Sequence, residues 1–112
     1  VYDRRSLVQI IVSGHQLDVP DSLRHYIEQK GARLHEHVGL FEKMQVILTA
    51  LHNPAERFEA EVTLHAPRHK DLVATAQDAD LRKATDAALD RIERQLVKLK
   101  EKIKDKRSKG AG

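Results

Sequence analysis

Arg91, Arg94, Lys98 and Lys102 recur at steps of three and four near the end of the chain, a spacing at which cations on one helix can bind a run of phosphates. A helix advances roughly 100° per residue, so Arg94, Lys98 and Lys102 all fall within roughly 60° of Arg91. Their centre lies about 115° from a second set at helical spacing, Leu81, Ala84, Ala88, Ile92, Leu96, Leu99 and Ile103, an apolar stripe that requires a core. Lys100 and Lys104 stand further round, near Glu93 and Asp86, and read as solvated charge with some i,i+4 pairing. A charge run taken alone is most often an ordinary soluble helix surface, so its meaning depends on the rest of the chain.

The charge is unevenly placed. Residues 81–112 carry eleven Lys and Arg against five Asp and Glu, a net +6, whereas residues 1–80 carry −3, together the +3 of the whole chain. Long-range attraction follows where charge sits, and this concentration points to a phosphate-bearing partner met by one element. Membrane headgroups would also answer to it, but the helix offers neither Trp nor Phe and its apolar stripe is needed by the domain. Lys30 and Arg33, three apart on an earlier helix, add a second pair of cations. A groove between two basic helices is therefore expected, and RNA is the favoured ligand.

Other chemistry finds little support. The seven histidines are scattered: His35 and His37 are two apart and point to different sides of a helix, unlike a helical zinc pair. His65 and His69 flank a loop with no carboxylate placed by sequence to complete a site. No phosphate-cradling glycine loop, nucleophile motif or convincing acid pair is present, so no enzyme, cofactor, metal or small-molecule substrate is expected. Tyr26 lies beside Ile27 and reads as core or core edge rather than a stacking platform, so backbone and shape contacts are expected to dominate. With no cysteine, thiol chemistry and disulfides are excluded. No apolar run approaches the roughly 20 residues of a membrane span and no cleavable leader is evident. The reading is a soluble cytoplasmic protein.

The elements that position these cations follow from periodicity. "LVQIIVSG" (7–14) alternates as a half-buried strand, and the pattern then switches to a helix over about 20–38, opened by Pro20 and Asp21 with Leu23, Ile27, Leu34 and Val38 on one side. Gly31 inside it implies either close packing or simple tolerance, the second being the favoured reading. "MQVILTAL" and "RFEAEVTLH" alternate as two further strands separated by an Asn-Pro turn, and "LVATA" gives a fourth after a polar loop. The last helix opens around Asp78–Asp80, where acids can cap its amides. The order is β-α-β-β-β-α, a single α+β domain: a four-stranded sheet with both helices on one face, like a double-stranded-RNA-binding domain, and with Glu59 and Glu61 on the watery face. Residues 1–6 read as a leader, 7–106 as the domain and 107–112 as a disordered basic tail.

"QIIVSGHQLDVPDSLRHYI", "EAEVTLHAP" and "QDADLRKATDAALDRIERQLVKLKEKIK" together resemble the ribosome hibernation promoting factor and protein Y family, also known as ribosomal subunit interface or sigma-54 modulation proteins. The resemblance covers about residues 8–106. It implies the same fold, binding to the small ribosomal subunit over the decoding region, and a block of the tRNA and mRNA sites in idle ribosomes. Carried over by position, the implied rRNA contacts are Lys30 and Arg33 of the first helix and Arg91, Arg94, Lys98, Lys100 and Lys102 of the last; Arg82 and Lys83 are added as further candidate rRNA contacts. Arg82 departs from the pattern, standing where relatives commonly carry an aromatic, so a ring contact there would be replaced by a charge contact. The tail stays basic to Lys109, which favours the short hibernation promoting factor. No sequence is left over for a dimerisation domain, so the protein is expected to be a monomer off the ribosome and to need a second factor to pair ribosomes. The rival expectations are a protein Y type factor that stabilises single ribosomes, a generic duplex-RNA-binding module, and a sigma-factor-modulating interaction module.

Overall fold

The structure, a computed structural model, describes residues 8–111, with side chains described through residue 105. The leader expected at 1–6 lies outside the described residues. The elements are β1 (Gln9–His15), α1 (Asp21–His37), β2 (Lys43–Ala50), β3 (Phe58–His65), β4 (Leu72–Asp78) and α2 (Leu81–Ala111). The order is the one the hydrophobic pattern predicts. α2 runs past the boundary drawn at residue 106, where a disordered tail was expected. Residues 106–109 contain neither proline nor glycine, so nothing in their chemistry stops a helix already under way.

The strands form one sheet in the spatial order β1-β2-β3-β4. β1 runs parallel to β2, a pairing that requires a crossover, and α1 supplies it. The remaining pairs are antiparallel and are joined by short turns. Asn53 Oδ1 accepts the amide of Ala55 at 2.9 Å in the first of these, and Arg68 takes the left-handed conformation in the second. The register sets Val12, Val46, Val62 and Ala74 in a row across the inner face.

Both helices cover that inner face. α1 contributes Leu23 and Ile27, α2 contributes Ala84, Ala88, Ile92 and Leu96, and these join Met44, Leu48, Ala60 and Leu64 of the sheet in one buried cluster. α1 starts at Pro20, whose fixed φ suits a helix entry and whose carbonyl accepts the Arg24 amide at 3.0 Å. It ends with the Val38 amide on the Leu34 carbonyl, followed by Gly39 at φ +70°, a left-handed stop that costs glycine nothing. Gly31 packs closely against the sheet, the alternative to the simple tolerance favoured from sequence. A Cβ there would lie 2.8 Å from Ile10 Cδ1 and 3.0 Å from Met44 Sδ, so the missing side chain lets α1 approach the sheet.

α2 is capped as its acids predict: Asp80 Oδ1 accepts the Lys83 amide at 3.0 Å, and Asp78 Oδ1 accepts the Asp80 amide at 2.9 Å. Its 31 residues span about 46 Å, whereas strands of this length reach only about 25 Å. The helix therefore outruns the sheet. Leu96 is fully buried, but Leu99 and Ile103, which continue the stripe, are only half-buried.

Candidate nucleic-acid interface

The two flanks of α2 meet different neighbours. On one, Arg91 donates through its guanidinium to the carbonyl of Thr75, and Gln95 Nε2 donates to the carbonyl of Val73 at 2.9 Å. Val73 and Thr75 lie two apart on the outermost strand, so their carbonyls point the same way, and α2 covers that edge with side-chain donors. Arg94, Lys98 and Lys102 are exposed and follow Arg91 along this flank by helical arithmetic. The other flank faces α1 and carries Arg82, Asp86, Leu89 and Glu93.

Between the helices runs a shallow hollow of about 230 Å³ lined by Tyr26, Lys30 and Leu34 of α1, Met44 of the sheet, and Asp86, Leu89, Asp90 and Glu93 of α2. Three carboxylates thus face one lysine, which overturns the expected basic groove. The reason is angular: Glu93 lies about 200° round the helix from Arg91, so the flank of Arg91 turns to β4 and that of Glu93 to α1. Lys30 and Arg33 are exposed neighbours but serve different hollows. Arg33 lines a cavity of about 660 Å³ on the β1 side with Val8, Ile10, Glu28 and Glu36. Lys83 and Lys100 are exposed on α2, and Lys100 lies by helical arithmetic on the same flank as Arg82.

One network links the helices and was not foreseen. The Tyr26 hydroxyl donates to Asp86 Oδ1 at 2.5 Å. The Arg82 guanidinium lies over the Tyr26 ring, with Cζ 3.7 Å from its centroid and Nε 3.9 Å from Asp86 Oδ2. Lys30 Nζ stands 5.6 Å from the same ring. The i,i+4 relation of Arg82 and Asp86 was legible in the sequence. Tyr26 precedes Asp86 by 60 residues, and no local pattern joins them.

Two carboxylates reach His65: Asp71 Oδ1 at 2.9 Å from Nδ1 and Glu42 Oε1 at 3.6 Å from Nε2. The sequence placed neither acid there. His35 packs edge-on against Phe41, with ring centroids 5.3 Å apart. Among the described residues no group of three or more His, Cys, Asp or Glu side chains is arranged to hold a metal ion, and no helix is long and apolar enough to cross a membrane.

The family model described as sigma 54 modulation protein / S30EA ribosomal protein matches residues 10–104. The chain belongs to this family. Within it, the chain is 42% identical over 95 residues to the ribosome hibernation promoting factor of Azotobacter vinelandii, covering 85% of each chain. The factor of the same name from Pseudomonas putida is 35% identical over 97 residues, covering 85% of this chain and 89% of its own. Among solved structures, the N-terminal domain of Thermus thermophilus Protein Y superposes with a TM-score of 0.67 at 30% identity, covering 82% of this chain and 97% of that one. A ribosomal subunit interface protein from Coxiella burnetii gives a TM-score of 0.72 at 22% identity over 84% of this chain and 99% of that one, a likeness of fold. The S30EA family fold is thus the β-α-β-β-β-α sandwich found here.

Proposed function

We propose that this S30EA family member is a non-enzymatic, cytoplasmic ribosome hibernation factor that binds rRNA of the small subunit at the decoding region and blocks the tRNA and mRNA sites of idle ribosomes. The observation that carries the reading is the row of exposed cations, Arg94, Lys98 and Lys102, that follows Arg91 along one flank of α2. A row of exposed cations at helical spacing suits a helix laid against phosphates on that side. The names of the relatives support ribosome hibernation as the role.

Arg94, Lys98, Lys100 and Lys102 supply phosphate contacts from α2, Lys83 from its first turn, and Lys30 and Arg33 from α1. Arg91 divides its guanidinium between Thr75 and phosphate, and Arg82 acts from the inter-helix side. The domain binds as a monomer without pairing ribosomes, and pairing falls to a second factor.

Co-sedimentation with purified small subunits, in the presence of excess duplex RNA, tests the reading. Binding should survive the duplex competitor, fall steeply with salt and be mutually exclusive with P-site tRNA. Displacement by duplex RNA would identify a generic RNA-binding module, and stable co-occupancy with P-site tRNA would overturn the proposed site.

A further inference from the structure

We infer that Arg82, stacked on Tyr26, is a platform for an unpaired nucleobase of the bound RNA, an inference that rests on the rRNA-binding reading and names the contact made by the acidic flank of α2. The guanidinium carbon sits 3.7 Å above the ring centroid, the separation of two flat groups in van der Waals contact. One carboxylate holds both members, since Asp86 accepts the Tyr26 hydroxyl at 2.5 Å through Oδ1 and lies 3.9 Å from Arg82 Nε through Oδ2. The planar, weakly hydrated guanidinium is therefore oriented before any ligand arrives. Its side chain remains 58% exposed. With the ring beneath it, the open surface is a flat cationic face of the kind on which unstacked bases lie.

The surroundings select a base over a phosphate. Asp86, Asp90 and Glu93 line the adjoining hollow and repel a phosphate placed there, yet carboxylates accept hydrogen bonds from exocyclic amines such as those of adenine and cytosine. Lys30, 5.6 Å from the same ring, lines the hollow and stands to take a flanking phosphate. The ligand class is an unpaired, amine-bearing nucleobase whose backbone stays outside the hollow. Arg82 thus contributes a plane as well as a charge, and the two properties are separable by substitution.

The test compares Arg82→Lys, which keeps the charge and loses the plane, with the unaltered protein. Small-subunit affinity should drop by about tenfold, the order of one lost base stack, while its slope against salt stays unchanged because the cation is retained. In parallel, the Arg82 Nε–H resonance should move upfield on titration with adenosine 5′-monophosphate and stay in place with ribose 5-phosphate, which offers the phosphate without a base. Equal affinity of Arg82→Lys and the unaltered protein would overturn the platform, as would equal shifts with the two monophosphates. Thermal melting of Arg82→Lys confirms that the fold is intact. If the variant melts early, the monophosphate titration of the unaltered protein decides the matter alone. The two readings fail separately: loss of small-subunit binding by the unaltered protein defeats the function, whereas retained binding with an indifferent Arg82→Lys defeats only the platform.

Discussion

Tyr26 of α1 donates its phenolic proton to Asp86 of α2 at 2.5 Å, a hydrogen bond between residues 60 apart in the chain that joins the two helices above their common core. The same carboxylate orients Arg82, so the bond has both a mechanical and a recognition consequence.

Tyr26→Phe keeps the ring and its packing and removes only the hydroxyl. A hydrogen bond of this kind contributes about 1 kcal/mol net, which for a domain of this size corresponds to a fall in Tm of roughly 5 °C. Asp86→Ala should cost at least as much, because it strands both Tyr26 and Arg82. A Tm of Tyr26→Phe equal to that of the unaltered protein would show that the bond carries no net stability.

Arg91 and Lys98 look equivalent on a helical wheel and should behave differently. Lys98→Ala removes an exposed cation and should weaken binding to small subunits, lowering the salt slope by up to about one counterion, with Tm unchanged. Arg91→Ala also removes the donor to Thr75, so it should lower Tm as well. Denaturation and salt-titrated binding on the same two variants separate the cases, and identical behaviour would mean the Thr75 contact is idle.

Gly31→Ala would ordinarily gain about 1 kcal/mol of helix propensity, but its Cβ would meet Ile10 Cδ1 at 2.8 Å. No gain in stability is expected. Ile10→Val alone should cost about 1 kcal/mol, whereas in the Gly31→Ala background it removes the crowded methyl and should cost less. Additive costs in a double-mutant cycle would contradict the close contact.

Asp80→Ala deletes the side-chain acceptor for the Lys83 amide and should destabilise the domain by about 1 kcal/mol, whereas Asp80→Asn or Asp80→Ser should retain most of that stability. Chemical denaturation of the three variants measures the cap. Equal midpoints for all three would show that α2 starts without help from this side chain.

β2, β3 and β4 were legible because they alternate: in β2, Met44, Val46 and Leu48 are buried while Gln45, Ile47 and Thr49 are not. The start of α2 was legible because Asp80 is a good cap next to a 3.6-residue stripe. What stayed hidden was the direction in which each flank of α2 turns. The wheel places Arg91, Arg94, Lys98 and Lys102 together, but only the packing of α2 over β3 and β4 decides that this flank meets β4 while Glu93 meets α1. Gly31 was misread for the same reason, since its purpose lies in Ile10 and Met44, and the two carboxylates at His65 are brought there by the sheet register and the turn before β4.

The outer edge of β4 has a consequence for how the chain is made. "LVATA" carries no charge and no proline of its own to deter another strand from pairing with it, and its cover comes from side chains 16 and 22 residues further on. At synthesis rates of about 5–20 residues per second, that strand emerges roughly one to four seconds before Arg91 and Gln95 can reach it. The interval is when the nascent chain is most adhesive. Products truncated after β4 but before Arg91 never acquire the cover, so premature termination in that short window should yield aggregates where termination beyond Gln95 does not.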